Sequence, residues 1–321
     1  MPEDAITARA AFPFLLGCRR SGTTLLRVMF DANPQIAVPL ETYFPVDPVP
    51  AWIGADGSLD VAHAAEDLQR QTWCKKMALD PQAVRDELAS TGTSTYPDLL
   101  RGLFRVYADA QGKPRYANKT PRHVIFIPQL ARMFPEGRFV HIVRDGRNVA
   151  LSILERDRSV PDLAAAARLW REHVERGRAD GRALGPERYA EVRYEDLLDG
   201  PEDALRRLCA FVDVPFDDAM LRYYERIPEM VIGGGEHRKL SQPPTKGLRD
   251  WRTVMSRTDV AVFESIAGRS LDAFGYERSD VHASVGVRVR VGWQDGTSFA
   301  RSRLAGVRRR AGLAAKGARG A

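Results

Sequence analysis

The sequence predicts a three-layer α/β fold of the P-loop-like kind, a central parallel sheet flanked by helices, on three observations. Short apolar runs of strand type alternate with segments of helical periodicity along the chain. The first such run passes through a glycine-containing loop directly into a helix. With 321 residues, 44% hydrophobic and 28% charged, the chain buries an ample core without a metal or disulfide staple.

Taken in order, Phe12-Pro-Phe-Leu-Leu-Gly17 reads as a buried strand, with Pro13 tolerable only near its beginning. After Cys-Arg-Arg-Ser-Gly-Thr-Thr, residues Leu25, Leu26, Met29 and Phe30 recur at helical spacing, and Asn33-Pro34 closes that helix. Pro45, Pro48 and Pro50 mark an irregular excursion, followed by short helices near 59–72, 81–89 and 96–109. The whole of 45–115 is expected to be a helical insertion on the acceptor side of the active site. Thr120-Pro121 predicts a helix start, threonine capping and proline at the first helical position, running to Phe134 with a bend at Pro128. Arg138–Val143 is a second buried strand, and Asn148–Leu154 begins the next helix. An amphipathic helix follows over 162–180, with Leu163, Ala166, Ala167, Trp170 and Val174 on one face. Tyr189–Val192 is a third strand, and Pro201-Glu202 opens a helix with Leu205, Leu208, Cys209 and Val212 inward. The expected organisation is a flexible N-terminus over 1–10, one domain over 11–280, and a basic tail over 281–321.

Charge and cysteines exclude several classes. Residues 301–321 carry seven basic residues and no acid, so removing them takes the net charge from +6 to −1 for residues 1–300. The body is therefore no nucleic-acid footprint, and peripheral membrane contact, if any, belongs to the tail. Cys18, Cys74 and Cys209 are far apart and form no Cys/His cluster, so a zinc site is not expected and a reducing compartment fits. No run of 18 or more apolar residues occurs, and the start of the chain lacks the pattern of a signal peptide. The expected location is cytoplasmic. Oligomeric state is not legible.

Gly17-Cys-Arg-Arg-Ser-Gly-Thr-Thr24 stands where a strand enters a helix, the place where backbone N–H groups and the helix dipole favour an anion. Gly22 permits close approach, and Ser21, Thr23 and Thr24 offer hydroxyl donors. The gap between Gly17 and Gly22 matches GxxxxGK[ST], but Thr23 stands where a nucleoside-triphosphate loop has its lysine. With Arg19 and Arg20 ahead of the serine, the loop suits a smaller anion with a cation at its far end. Further on, Arg144 at a strand end and Ser152 eight residues later can converge on a second anion.

With these residues the sequence resembles the superfamily of sulfotransferases that use 3′-phosphoadenosine 5′-phosphosulfate (PAPS), closest to its protein-tyrosine sulfotransferase-like and bacterial branch. The resemblance runs in ordered blocks from about Phe12 to Tyr276, with 45–115 unmatched. It implies that Arg19, Arg20, Ser21, Gly22, Thr23 and Thr24 grip the 5′-phosphosulfate, and that Arg144 and Ser152 hold the 3′-phosphate. It places Tyr194 of Arg193-Tyr-Glu-Asp-Leu197 near the nucleotide, with Glu195 or Asp196 near loop amides, while Asp145 and Arg147 tether the turn after the second strand. Lys246 and Gly247 would lie in a closing loop ending at Trp251. Glu41, 21 residues after Arg20, takes the place of the catalytic base, with His123 or His141 as rivals, although His141 sits mid-strand in an apolar run. Lys119, 25 residues before Arg144 in an NK-x-P context, stabilises the transition state with Arg20. The implied reaction is in-line sulfuryl transfer to an acceptor hydroxyl, releasing adenosine 3′,5′-bisphosphate (PAP), without a metal. The acceptor stays open among glycan, small metabolite, lipid headgroup and tyrosine, with a glycan or small metabolite favoured. Two other readings stand beside it: a P-loop kinase or NTPase, and a non-catalytic nucleotide-binding protein of the same fold.

Overall fold

The computed structural model describes residues 10–44, 46, 49–54, 58–68, 70–225, 238–243 and 250–281. Six strands occur among them: β1 (Phe12–Gly17), β2 (Ile36–Ala37), β3 (Arg115–Tyr116), β4 (Asn118–Lys119), β5 (Gly137–Val143) and β6 (Tyr189–Arg193). Four of them form one parallel sheet in the order β4-β1-β5-β6. β2 and β3 form a separate two-stranded parallel ladder. The described residues group into two compact units, one drawn from 1–145 with 172–248 and the other from 146–171 with 249–321.

In the first unit, the alternation of side chains along β1 sorts the core into two layers. Phe12, Phe14 and Leu16 face a cluster with Leu99, Leu103, Phe104, Ile127, Leu130 and Phe134. Leu15 faces the opposite cluster with Leu26, Met29, Phe30, Leu205, Leu208 and Val212. Helices Tyr96–Ala110 and Ile127–Met133 therefore cover one side of the sheet, and Thr23–Ala32 and Pro201–Val212 the other. A sheet buried on both faces explains why its strands read as nearly unbroken apolar runs. Pro13 is accommodated because the β4 pairing of β1 begins only at Phe14. The stretch between 45 and 115 also carries helices Val61–Leu68, Thr72–Lys75 and Pro81–Ser90, close to the expected ranges.

One expectation needs correction. The segment after Thr120 does begin at Pro121, but as a 3-10 turn over Pro121–Phe126 that continues into the α-helix Ile127–Met133. Thr120 makes no side-chain cap. Its hydroxyl instead accepts from Asn118 Nδ2 and from the Tyr43 amide, each over 3.4 Å, so it ties loops together rather than starting a helix.

In the second unit, helix Gly146–Arg156, the Leu163–Arg171 part of helix Leu163–Arg182 and helix Arg257–Ala273 enclose Trp170 and Phe263, whose rings lie 5.8 Å apart. Arg147 is buried there against Glu264 at 2.7 Å and lies over the Trp251 ring at 3.7 Å. Arg147 thus belongs to a core ion pair of this unit.

His141 behaves as core, as its place mid-strand implied. It is fully buried and its Nδ1 lies 2.7 Å from Tyr189 Oη, which in turn donates to Glu191 over 2.9 Å. Burial pushes its pKa down to about 4. In the Glu172–Arg182 part of the long helix, a Cβ on Gly181 would come within 2.1 Å of the Tyr189 ring. Gly181→Ala gains about 1 kcal/mol of helix propensity, but the clash with a ring fixed by two hydrogen bonds costs about 1–3 kcal/mol. The expected result is a net loss of stability, read as a lower denaturant midpoint in an equilibrium unfolding titration.

Candidate active site

Ligands of open α/β sheets gather beyond the carboxyl ends of the strands. In this sheet those ends carry Lys119 on β4, the Gly17–Thr24 loop after β1, Arg144 after β5 and Tyr194 after β6. The loop is shaped by its backbone. Arg20 sits at φ 70 and Gly22 at φ 97, both in the left-handed region. For Arg20 that conformation is strained, and strain of this kind gathers at functional sites. Gly22 is needed twice over, since a Cβ there would lie 2.3 Å from the Tyr194 ring. Arg144 packs against the same tyrosine. Its guanidinium lies 4.4 Å from the Tyr194 ring centroid, and its Nη1 donates to the Arg20 carbonyl over 3.4 Å. The Arg193-Tyr194 block therefore shapes the phosphate loop directly.

The loop fits an anion. Helix Thr23–Ala32 begins at Gly22 without a side-chain cap, so its first amides have no side-chain oxygen to satisfy them. Ser21 is fully buried and its Oγ has no hydrogen-bond partner among the described residues. A buried hydroxyl in that state costs stability unless a ligand supplies the partner. Thr23 is buried and Thr24 half-buried at the same helix start. Cys18, beneath the loop, is buried and its thiol is pushed up to about 12 by burial, so it serves packing rather than reaction.

Beside the loop, Lys119 Nζ contacts Glu41 Oε1 at 2.7 Å, with the lysine side chain 3% and the glutamate side chain 27% exposed. The β2–β3 ladder brings their segments together, because Ala37 pairs with Tyr116 and the Ala117 amide donates to the Ala37 carbonyl over 2.9 Å. Arg27 and Asp31, a turn apart on the first helix, grip Val38 on both its polar groups. Arg27 Nε donates to the Val38 carbonyl over 2.9 Å, and Asp31 Oδ1 accepts from the Val38 amide over 2.8 Å. An i,i+4 arginine–aspartate pair is visible in the sequence, but what it holds is not.

Burial tends to raise the Glu41 carboxyl, but the Lys119 charge and hydrogen bond, the Tyr43 hydroxyl and Lys76 outweigh it and leave the pKa below the ordinary value. For Lys119, burial dominates and pulls the ammonium down to about 8, although Glu41 supports the charged form. The opposition to a raised carboxyl thus comes from lysines and a tyrosine. His123 is buried, with its pKa pushed down to about 4 by burial, and its Nδ1 is engaged with Asn118 Oδ1 at 3.1 Å. Arg19 lies close enough to Tyr43 to act on its ionisation. The Asp145 amide donates to Glu195 over 3.2 Å, which fixes the turn after β5. Ser152 is buried on helix Gly146–Arg156 within the second unit. Lys246, Gly247 and the basic tail lie outside the described residues. No group of three or more metal-ligating side chains occurs among the described residues, and no described helix is long and apolar enough to cross a membrane.

An anion loop at a strand-to-helix junction, with an adjoining carboxylate–ammonium pair, defines a P-loop-like group-transfer site. Residues 14–218 match the family model described as Sulfotransferase family. The chain belongs to the sulfotransferase family, and sulfuryl transfer is the chemistry of that family. It is 27% identical over 223 residues to the protein-tyrosine sulfotransferase of Drosophila melanogaster, covering 67% of this chain and 40% of that one. It is 25% identical over 288 residues to protein-tyrosine sulfotransferase A of Caenorhabditis elegans, covering 86% of this chain and 70% of that one. The chain thus spans less than half the length of the fly protein. The sulfotransferase domain of the Synechococcus PCC 7002 olefin synthase superposes with a TM-score of 0.61 at 24% identity, covering 85% of this chain and 98% of that domain. The corresponding domain of the curacin biosynthetic pathway gives 0.52 at 21%, covering 84% and 99%. These two likenesses support the parallel α/β fold.

Removing one partner of a buried ion pair leaves the other charge uncompensated, which costs about 3–5 kcal/mol, whereas an apolar replacement of both can be nearly neutral. With Glu41 partly exposed, Glu41→Gln is expected to cost about 2 kcal/mol. Glu41→Gln combined with Lys119→Met is expected to regain most of that loss in thermal unfolding.

Proposed function

We propose that this sulfotransferase moves the sulfuryl group of PAPS to an acceptor hydroxyl, with Glu41 as general base. The observation that carries the reading is the 2.7 Å Glu41–Lys119 contact at the edge of the anion loop. When bound, PAPS supplies a sulfuryl group on a phosphate leaving group. Ser21, Gly22, Thr23 and Thr24 hold the 5′ end through hydroxyls and helix-start amides, with Arg19 and Arg20 adding positive charge. Arg144 takes the 3′-phosphate, the role the resemblance also gives to Ser152 and, in the closing loop, to Lys246 and Gly247. Tyr194, in contact with both Gly22 and Arg144, would form the floor for the two anions.

Sulfuryl transfer resembles phosphoryl transfer in its demands, so positioning and electrostatics carry the rate. Glu41 takes the acceptor proton onto its carboxylate as the hydroxyl oxygen attacks. Lys119 and Arg20 stabilise the negative charge that grows on the sulfuryl and bridging oxygens. The low pKa of Glu41 keeps it ionised and ready at neutral pH. His123 is a poorer base, since it is enclosed and committed to Asn118. The acceptor is a hydroxyl compound, and a tyrosine peptide is the first to assay because of the relatives' names; glycans and small hydroxylated metabolites are the alternatives. The missing loop lysine, with Thr23 in its place, opposes the reading of a triphosphate kinase.

PAP is expected to raise the melting temperature more than AMP or ATP with magnesium, by mass action on the folded state. The shift should be lost in Arg144→Ala. A stabilisation seen only with ATP and magnesium would overturn the donor assignment.

The pH profile has a definite sign. Lys119 acts protonated, and its folded pKa is lowered to about 8, so kcat/KM for PAPS should fall as pH rises through that value. The kcat limb should lie further alkaline, because a bound anion favours the ammonium. Glu41→Gln should reduce kcat by about 10²–10⁴-fold, measured by transfer from labelled PAPS. Turnover indifferent to that change would indicate another base, or a binding protein without catalysis.

A further inference from the structure

One residue away from the ion pair, the same two segments are joined again. Asn118 Nδ2 donates to Thr42 Oγ1 over 2.9 Å and, more weakly, to Thr120 Oγ1 over 3.4 Å. Thr42, Asn118 and Thr120 are fully buried, and His123 is 3% exposed. Thr42 follows Glu41 and Asn118 precedes Lys119, and along β4 neighbouring side chains point to opposite sides of the strand. The catalytic pair and this buried pair thus join the same two segments of chain at adjacent positions.

A side-chain amide can present either end to a neighbour, and its partners decide which. His123 meets the other end of this amide: its Nδ1 lies 3.1 Å from Asn118 Oδ1, and the ring is also hydrogen-bonded to the Phe44 backbone. The amide nitrogen goes to Thr42. The imidazole is held edge-on to the Phe44 ring at 4.7 Å, and the Tyr43 amide donates to Thr120 Oγ1 over 3.4 Å. Burial holds the imidazole pKa at about 4, so it stays neutral and its role does not change through the physiological range.

We infer that Asn118, oriented by His123, is a positioning residue that keeps Glu41 against Lys119 by holding Thr42. The inference rests on the reading of Glu41 and Lys119 as base and cation. Neither Asn118 nor His123 contacts the carboxylate or ammonium through an interaction described above, so both act through the backbone that carries them. This gives His123, a rival for the base on sequence grounds, a different task.

The ionisation of Lys119 reports the arrangement without requiring turnover. Burial, Arg27 and Lys76 press its pKa down, and Glu41 holds it up. If Glu41 swings away, the downward influences remain, and the midpoint should drop below about 8. The test is a titration of the full chain carrying ε-13C-lysine, followed by NMR, with Lys119→Arg to assign the resonance. In Asn118→Ala, His123→Ala and Thr42→Val the midpoint should fall by about one pH unit, the size of losing one charge-assisted hydrogen bond. His123→Asn, whose side-chain amide lies near the place of Nδ1 and can both donate and accept, should restore it. With labelled PAPS, kcat should fall about tenfold in the first three variants while the KM for PAPS stays unchanged. A Lys119 midpoint unmoved in Thr42→Val and His123→Ala would overturn the inference, since a purely structural network would lower the melting temperature alone. The two readings fail separately. Turnover unaffected by Glu41→Gln would refute the base, whereas the titration decides the positioning role on its own.

Discussion

The constraint from which the site follows is the shared direction of β4, β1, β5 and β6. Parallel strands deliver their carboxyl ends to one rim, so residues far apart in sequence arrive together without long side-chain excursions. Leu15 pairs with Lys119, Gly17 with Ile142, and Val143 with Arg193. That register sets the ammonium, the anion loop, Arg144 and Tyr194 side by side. A slip of one residue in a strand would turn its inward face outward and break both core layers. The apolar alternation of β1 therefore guards the geometry of the chemistry as well as the stability of the sheet.

On this rim the charges oppose one another in a way that suits sulfuryl transfer. A buried lysine beside a carboxylate is neither a strong acid nor a spectator, and its pKa near 8 leaves it charged at neutral pH with little surplus. The carboxylate is kept ionised by the same contact. In the proposed reaction an arriving anion would compete with Glu41 for Lys119, freeing the carboxylate. Each member of the pair supports the charge of the other.

Much of this was legible in the sequence because it depends on strong local patterns. The apolar runs of β1, β5 and β6 announced themselves, and the loop from Gly17 to Thr24 has a composition that few other turns need. Glu41 and Lys119 were found through resemblance, and their proximity was not derivable from spacing. The reason is physical: β2, β3 and β4 are two residues each, too short for a period-2 pattern to exist. The grip of Arg27 and Asp31 on Val38 is hidden likewise, since a side chain bonding to backbone leaves no signature at the position it holds. Thr120 shows the converse failure. Its place before a proline fits a cap, yet tertiary partners claimed the hydroxyl first. Arg147 looked like a turn tether and is instead the buried partner of Glu264.

The brevity of β4 has a consequence for the timescale on which the site breathes. Two ladder positions, Asn118 and Lys119, are all that join it to β1, so its amides are protected by few backbone bonds and largely by side chains. Local openings draw on regions with the fewest such bonds. Amide exchange at β4 should thus run faster than in β5, whose ladder is shared with two neighbours. On gentle warming, the segment bearing the ammonium would part from the sheet before the sheet itself melts, and heat inactivation would begin as a reversible fraying at one edge.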